Sequence, residues 1–306
     1  MGKIKISGQF SKEADFVLYE GDCLELLNSV PSNYVQLVVT SPPYNLGKDY
    51  EKRIVIDQYL SQQKKVIKEC VRVTAETGSI CWQVGNYVDN GEIIPLDIIL
   101  YPIFCSFGLH LRNRIVWHFG HGLHASKRLS GRYEVILWFT KSNNYVFNLD
   151  HVRIPQKYPN KKHFKGPHVG ALSGNPLGKN PSDVWEIPNV KSNHVEKTSH
   201  PCQFPVELIE RLIRALTNEG DCVLDPFLGA GTTAIASLIH NRKAIGAEII
   251  KEYGAIAKER ICLAEKGELR IRPMERPVYD PNGKSSNIPP KYIGLGSNYK
   301  ESSLFD

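Results

Sequence analysis

The fold of this 306-residue chain is decided by the stretch DPFLGAGTTA at residues 225–234. The apolar run DCVLD at residues 221–225 leads into it and predicts a strand, and residues 231–240 predict a helix. Gly229 and Gly231 let the backbone turn tightly and approach a ligand closely. A strand, a glycine loop and a helix in this order predict that a ligand lies at the helix N-terminus.

Several ligands compete for this loop. A phosphate-binding P-loop requires Lys and then Ser or Thr after its last glycine, and no Lys follows Gly231. The dinucleotide pattern G-x-G-x-x-G/A, with an acid about twenty residues later, fits the two glycines, Ala234 and Glu248. A nicotinamide-dependent oxidoreductase is therefore one alternative. A nucleoside cofactor without a diphosphate, its ribose hydroxyls held by Glu248, is another, and a plain turn without a ligand is the simplest.

Outward from this stretch, short apolar runs alternate with segments of helical periodicity. Predicted strands lie at residues 16–19, 35–40, 79–84, 114–119, 133–140, 221–225 and 243–248. Predicted helices lie at residues 57–74, 93–107, 204–217, 231–240 and 251–264. This alternation predicts an α/β fold with a Rossmann-like, doubly wound, mostly parallel sheet. Ligands of such sheets bind beyond the carboxyl ends of the strands, so residues that follow strands are the candidates for function.

One such position follows the predicted strand at residues 35–40, where the sequence reads Ser41-Pro42-Pro43-Tyr44. The two prolines fix the backbone and lack N–H donors, so the turn presents carbonyl acceptors. Ser41 adds a hydroxyl that can accept a hydrogen bond, and Tyr44 adds an aromatic face. A planar amine that donates to these acceptors and stacks on the ring would fit, as an extruded nucleic-acid base does. Taken alone, the turn is also compatible with a proline-rich loop that carries an edge tyrosine.

Together, Ser-Pro-Pro-Tyr after one strand and Asp-Pro-Phe-x-Gly-x-Gly after another resemble the amino-methylating DNA methyltransferases. The order of the two motifs resembles the β group of that family, and the resemblance runs from about residue 16 to about residue 263. It implies the methyltransferase type of Rossmann-like fold, S-adenosylmethionine as cofactor, and methyl transfer to an exocyclic amine of a flipped-out base. The implied catalytic residues are Ser41, Pro42, Pro43 and Tyr44. The implied cofactor-binding residues are Asp22, Cys23, Thr198, Ser199, His200, Asp225, Phe227, Gly229, Gly231, Thr232, Thr233, Glu248 and Ile249.

Ser41 bears on which base is methylated. In the family that the motif resembles, its first position is Asp or Asn in most adenine-N6 enzymes and Ser in most cytosine-N4 enzymes. We therefore expect methylation of cytosine N4, with adenine N6 as the alternative. The amine would donate to the Ser41 hydroxyl and the Pro42 carbonyl, so that its lone pair points at the methyl group. Ser41 is a weak base, so we expect the amine proton to leave after methyl transfer, with water as one acceptor.

Two alternatives come from other functional classes. A nicotinamide dehydrogenase would leave the proline-rich turn and the basic residues of the chain without a use. A catalytically idle DNA-binding protein with this fold would not need intact motifs at both sites.

Residues 151–200 differ in composition from the rest, with six Pro, four Gly, and eight Lys or Arg against three Asp or Glu. We expect an inserted target-recognition region at 151–196, between a catalytic half at 1–150 and a cofactor-binding half at 197–274, with a C-terminal tail at 275–306. A basic segment of this kind neutralises DNA phosphates, whereas a solvated loop without a ligand is the alternative. The expected DNA-binding side chains are Arg153, Lys157, Lys161, Lys162, Lys165 and Lys179.

Composition narrows the functional class further. Lys and Arg total 38 against 32 Asp and Glu, a net charge of +6 that permits a polyanionic partner. No apolar stretch is long enough for a membrane span and no signal peptide is visible, so we expect a cytoplasmic protein, nucleoid-associated if bacterial. Seven cysteines without a CxxC pair predict reduced thiols and no metal site. We expect a monomer or homodimer that acts on double-stranded DNA, with a cognate restriction endonuclease as a candidate partner.

Overall fold

The structure is a computed structural model that describes residues 3–47, 51–89, 91–120, 122, 124–191 and 193–274. The predicted C-terminal tail at 275–306 lies outside these described residues. The strands are β1 (Ile6–Ser7), β2 (Phe16–Glu20), β3 (Val35–Thr40), β4 (Thr74–Val84), β5 (Asn86–Asp89), β6 (Glu92–Pro95), β7 (His110–His118), β8 (Tyr133–Thr140), β9 (Val184–Glu186), β10 (Cys222–Asp225) and β11 (Lys243–Glu248). The helices are α1 (Cys23–Ser29), α2 (Ile56–Val73), α3 (Leu96–Ser106), α4 (Val206–Leu216), α5 (Thr232–Ile239) and α6 (Lys251–Glu265). Leu149–Val152 form a 3-10 turn.

The main sheet has the strand order β1-β2-β11-β10-β3-β4-β8-β7-β9, and β5 pairs with β6 in a separate hairpin. From β1 to β4 in this order, each strand runs parallel to its neighbour. Strand β8 runs antiparallel to β4 and to β7, and β9 runs parallel to β7. The mostly parallel α/β sheet predicted from the sequence is therefore confirmed.

The chain winds in two directions from the middle of this sheet. It leaves β10 toward β11 on one side and leaves β3 toward β4 on the other, while β10 and β3 are direct neighbours. Their register pairs Val223 with Leu37 and Leu224 with Val38, so both strands end at the same edge. This switch point is where open α/β sheets bind their ligands, and it brings the two motifs of the sequence together.

Helices cover both faces of the sheet. Helices α4, α5 and α6 pack on one face through one buried apolar cluster, and α1, α2 and α3 pack on the other through a second. Strand β3 contributes Leu37 and Val39 to the first cluster and Val38 to the second, as the alternation of side chains in a strand requires. A strand buried on both faces is rich in Val and Leu, as four of the six residues of β3 are, and this composition made its bounds predictable.

Some element boundaries differ from the prediction. The predicted helix at residues 93–107 begins only at Leu96, and the three residues before it belong to β6. Pro95 fixes its own φ and disfavours a helical conformation at Ile94, so the helix starts immediately after the proline. Strands β4 and β7 begin earlier than predicted, at Thr74 and His110, because their ladders with β3 and β8 continue through polar residues.

Strand β9 lies inside the segment predicted as an insertion and forms the edge of the main sheet beside β7. Trp185 of this strand is buried, and its indole N–H donates to the Ser182 carbonyl at 2.7 Å. The Arg211 guanidinium of α4 lies 5.0 Å from the centre of the indole ring. Three residues are too few to give a visible period, so sequence analysis did not detect the strand. The division of the chain at 151 and 196 stays a prediction.

In the described part of the chain, no helix combines the length and the apolar character that crossing a bilayer requires. The same residues contain no group of three or more His, Cys, Asp or Glu side chains placed to hold a metal ion.

Candidate functional site

A cavity of about 490 Å³ lies at the carboxyl edge of the sheet, beyond the adjacent ends of β10 and β3. The predicted catalytic residues Ser41, Pro42, Pro43 and Tyr44 all line it. The predicted cofactor residues that line it are Asp22, Cys23, His200, Phe227, Gly229, Thr232, Glu248 and Ile249. The structure therefore brings four segments together around one cavity. These are the two motifs, the turn after β2 and the segment before α4.

The other predicted cofactor residues are Thr198, Ser199, Asp225, Gly231 and Thr233, and none of them belongs to the cavity wall. Thr198 contacts two residues of the cavity wall, Gln203 and His200, without lining the cavity itself. Its hydroxyl donates to Gln203 Oε1 at 2.9 Å and accepts the His200 backbone N–H at 3.2 Å. This pair of hydrogen bonds holds the turn that presents His200.

Asp225 joins the two motifs instead of facing the cavity. Its carboxylate is fully buried and accepts the hydroxyl of Thr40 at 2.5 Å, the hydroxyl of Thr233 at 2.6 Å and the N–H of Phe227 at 3.1 Å. Burial raises the pKa of Asp225 to about 6 against these hydrogen bonds, which lower it. The end of β3, the glycine loop and the start of α5 are thereby tied to one side chain.

The glycine loop requires both of its glycines. Gly229 and Gly231 have φ values of +54° and +76°, in the left-handed region. A Cβ on Gly229 would lie 3.0 Å from His200 Nε2, and a Cβ on Gly231 would lie 2.7 Å from Ala257 Cβ. Side chains at these positions would therefore meet either the cavity wall or helix α6.

Glu248 ends β11 and turns its carboxylate toward the glycine loop. One oxygen accepts the Gly229 N–H and the other accepts the Ile250 N–H, each at 2.8 Å. Burial raises the pKa of Glu248, and the backbone hydrogen bonds lower it. Each carboxylate oxygen has a second lone pair, so Glu248 can still accept hydroxyl donors such as those of a ribose.

His200 forms another part of the cavity wall, beside Gly229. Its ring packs edge-on against Tyr253 with 4.4 Å between the ring centres, and its Nδ1 accepts the Cys202 N–H at 3.2 Å. Burial is the main cause that lowers the pKa of His200 to about 4. The imidazole is therefore neutral near pH 7 and adds no charge to the cavity.

The Ser-Pro-Pro-Tyr turn is part of a hydrogen-bonded network that no sequence pattern indicated. Ser41 Oγ lies 2.9 Å from the Tyr44 hydroxyl, which donates to Glu134 Oε2 at 3.0 Å. Gln83 Nε2 donates to the same Glu134 oxygen at 2.6 Å. Both Glu134 and Gln83 line the cavity beside Ser41 and Tyr44. A signal for Glu134 was present, since it is the one charged residue within the otherwise mostly apolar run at 133–140.

The predicted DNA-binding residues lie away from the cavity wall and fall into two kinds. Arg153 pairs with Asp150 at 2.6 Å and donates to the Gly178 carbonyl at 3.1 Å, so it is engaged within the protein. The five lysines are exposed: Lys157, Lys161, Lys162, Lys165 and Lys179. They belong to a segment held by isolated bridges between Ile154 and Lys179 and between Lys162 and Leu172.

Comparison with known proteins identifies related sequences. The N6/N4 methyltransferase family model, described as DNA methylase, matches residues 35–259. The chain is 53% identical over 253 residues to the type II methyltransferase M.BglII of Bacillus subtilis, covering 82% of this chain and 70% of that protein. It is 33% identical over 261 residues to the DNA adenine methyltransferase YhdJ of Escherichia coli strain K12, covering 84% of this chain and 85% of that protein.

Solved structures show the same fold. A putative DNA modification methylase from Thermus thermophilus, in complex with S-adenosyl-L-methionine, has a TM-score of 0.56 at 30% identity and covers 79% of this chain and 91% of that chain. The cytosine-N4-specific PvuII DNA methyltransferase has a TM-score of 0.65 and covers 79% of this chain and 85% of that chain. Its identity is 24%, so this second likeness concerns the fold.

Proposed function

The chain belongs to the N6/N4 DNA methylase family, and from this premise we propose that it methylates N4 of cytosine in double-stranded DNA. The family assignment makes it a DNA methyltransferase with S-adenosylmethionine as its cofactor, which leaves the nicotinamide alternative without support. The observation that carries the cytosine proposal is the identity and setting of Ser41. Ser41 lines the cavity together with Pro42 and with Gly229 of the glycine loop.

The cavity fits the cofactor on grounds of shape and donor chemistry. Gly229 has no side chain, so the backbone of the loop lines the cavity directly; a Cβ there would crowd His200. Glu248 has lone pairs that can still accept hydrogen bonds from ribose hydroxyls. Asp22 lies at the N-cap of α1, where its carboxylate accepts the Leu24 N–H at 2.8 Å. Bound there, the cofactor supplies an electrophilic methyl group on a sulfonium.

The hydrogen bonds around Tyr44 make Ser41 an acceptor. A phenol has one proton, and the Tyr44 hydroxyl donates it to the Glu134 carboxylate. The contact of 2.9 Å between Ser41 and Tyr44 must then use the Ser41 proton. The Ser41 lone pairs therefore remain for a donor from the substrate, and an exocyclic base amine is such a donor.

A second acceptor in the wall supports an amine substrate. Among the described residues, Gln83 Oε1 is buried without a hydrogen-bond partner, while Nε2 of the same amide is bound to Glu134. An unpaired buried acceptor costs free energy unless a donor reaches it. The two protons of a base amine would satisfy two acceptors of this wall, the Ser41 hydroxyl and either the Pro42 carbonyl or Gln83 Oε1. Such fixed acceptors accelerate the reaction through positioning and electrostatics.

Adenine N6 is the second candidate, because a relative named as a DNA adenine methyltransferase is 33% identical to this chain. That enzyme and a cytosine-N4 enzyme both need an amine acceptor at the position of Ser41. The proposal of cytosine depends on the identity of residue 41. It is Ser here, as in most cytosine-N4 enzymes, whereas Asp or Asn is the common residue in adenine-N6 enzymes.

The name of the relative M.BglII, a type II methyltransferase, extends the proposal to partners. Type II methyltransferases protect DNA from a restriction endonuclease, so we expect a cognate endonuclease and one short recognition sequence. The five exposed lysines between residues 157 and 179 would contact phosphates of that DNA. Such an enzyme works where the DNA is, in the cytoplasm or on the nucleoid.

The test uses purified protein, tritiated S-adenosylmethionine and genomic DNA that carries no prior methylation. The DNA is digested to nucleosides, which are resolved by mass spectrometry. Label in N4-methyl-2′-deoxycytidine supports the proposal. Label in N6-methyladenine alone leaves a DNA methyltransferase but contradicts the cytosine assignment. A cofactor thermal shift with no label in DNA points to an RNA substrate or to the idle binder.

A further inference from the structure

We propose that Glu134 takes the proton that the base amine loses, through Tyr44 and Ser41, while the nitrogen–methyl bond forms. This inference rests on the proposed function and specifies how its site works. It replaces the expectation from the sequence that the proton leaves later, with water as its acceptor.

The three side chains form a continuous chain of hydrogen bonds that begins at the expected amine position. Ser41 Oγ and the Tyr44 hydroxyl are 2.9 Å apart, and the Tyr44 hydroxyl lies 3.0 Å from Glu134 Oε2. Both distances are those of good hydrogen bonds between oxygens. Gln83 Nε2, at 2.6 Å from the same carboxylate oxygen, fixes the end of the chain.

Glu134 differs from the other acids of the cavity in its position and its partners. Three carboxylates line the described wall: Asp22, Glu134 and Glu248. Asp22 and Glu248 accept backbone N–H groups on the cofactor side. Glu134 instead accepts from Tyr44 and Gln83, on the side of the catalytic turn.

The fold positions this carboxylate through three elements. Glu134 lies near the start of β8, in register with Trp117 of β7, and Gln83 comes from β4 on the other side. An added Cβ on Gly85, just after β4, would lie 3.1 Å from the Tyr44 ring and 3.4 Å from Glu134 Cγ. The absence of a side chain at Gly85 therefore lets the tyrosine and the glutamate meet.

The step balances in atoms and charge. The amine nitrogen uses its lone pair to form the N–CH₃ bond, while the S–CH₃ bond breaks and its electron pair stays on sulfur. The amine proton passes to Ser41 Oγ, the Ser41 proton to the Tyr44 oxygen, and the Tyr44 proton to Glu134. The positive charge of the sulfonium and the negative charge of Glu134 both disappear, which leaves a neutral methylated base and a neutral carboxylic acid. Glu134 then releases its proton to solvent.

The surroundings of Glu134 favour proton uptake. Burial raises the pKa of the Glu134 carboxyl above its usual range, against the hydrogen bonds from Gln83 and Tyr44. Among the groups that face it, Tyr44 on the turn after β3 is titratable, whereas Gln83 on β4 and Trp117 on β7 are not. The next titratable pair along these strands is His118 on β7 opposite Tyr133 on β8.

The experiment measures single-turnover methyl transfer from about pH 5 to about pH 8 for the wild type, Glu134→Gln, Glu134→Asp and Tyr44→Phe. We expect Glu134→Gln and Tyr44→Phe each to lower the rate about 100-fold or more, with unchanged affinity for S-adenosylmethionine. The wild-type rate falls toward low pH as Glu134 becomes protonated, and Glu134→Gln lacks this fall. Glu134→Asp recovers part of the rate. The double variant, which combines Glu134→Gln with Tyr44→Phe, is measured as well. We expect it to be no slower than the slower of the two single variants, because both changes break the same chain of hydrogen bonds.

The matched control is Glu186→Gln, which removes an exposed carboxylate from the edge strand β9 of the same sheet. It keeps the wild-type rate and pH profile if the inference holds. A wild-type rate for Glu134→Gln, additive losses in the double variant, or loss of the low-pH fall in the control would each overturn the relay and leave the proposed function standing. A wild-type enzyme that labels no base amine overturns the proposed function and the relay with it.

Discussion

At the scale of single residues, the proposed function gives Ser41 the central role, because the choice of cytosine as the methylated base depends on it. Replacement of Ser41 by Ala removes one acceptor for the amine and the start of the hydrogen-bond chain to Glu134. We expect kcat to fall about 100-fold or more, by analogy with the loss of one transition-state hydrogen bond. Equilibrium binding of S-adenosylmethionine should not change, because we expect Glu248 and the glycine loop, not Ser41, to hold the cofactor. A parallel loss of cofactor affinity would contradict this separation of roles.

The buried carboxyl group of Asp225 leads to a prediction about how the stability of the protein depends on pH. Its pKa of about 6 in the folded protein lies above the ordinary value of 3.8, so the folded state binds this proton more tightly than the unfolded state. Stability from Asp225 is therefore lost as pH rises through this window. The replacement Asp225→Asn cannot titrate, so its stability relative to the wild type should improve from about pH 4 to about pH 6, by about 2 kcal/mol. Urea unfolding of both proteins at the two pH values measures this, and a pH-independent difference would refute it.

At the scale of elements, the glycine loop is fixed by its contact with α6. Gly231 and Gly220 both have left-handed φ values, +76° and +83°, but only a Cβ on Gly231 would meet a neighbour, Ala257. We expect Gly220→Ala to cost about 1–2 kcal/mol from backbone strain. Gly231→Ala should cost more and should also weaken cofactor binding, because the loop must move away from α6. Thermal unfolding and calorimetric binding compare the two variants, and equal effects would show that the contact with α6 is unimportant.

The lysine segment is the second element with a testable role. If its five lysines bind phosphates, replacing them with Gln should reduce the slope of log K against log salt by about 0.9 for each phosphate that is no longer neutralised. The exposed lysines of α2 provide the control, and they are Lys64, Lys65 and Lys68. Fluorescence anisotropy with a duplex at several salt concentrations measures the slopes. Equal slopes for the two sets of variants would show that the lysines between residues 157 and 179 are not the DNA-binding surface.

For the whole molecule, sequence patterns predicted the architecture better than they predicted the site. Buried strands such as β3 read as mostly apolar, β-branched runs, and the two motifs follow strands whose carboxyl ends must share one edge. The partnership of Glu134 with Tyr44 was not predictable, because it depends on the register between β4 and β8, which are distant in the sequence. Asp225 shows the same limit of prediction from sequence. The motif indicates that Asp225 is important, but it does not indicate that the carboxylate points into the protein, toward Thr40 and Thr233.

We propose that the whole molecule methylates cytosine N4 at a defined sequence in DNA, with Ser41 as the amine acceptor. The most direct measurement is single-molecule sequencing of genomic DNA from a host without endogenous methylation that expresses the wild type or Ser41→Ala. We predict N4-methylcytosine at one short sequence motif in wild-type cells and an unmodified motif in cells with the variant. N6-methyladenine at the motif, or N4-methylcytosine that persists undiminished in the Ser41→Ala cells, would contradict the account.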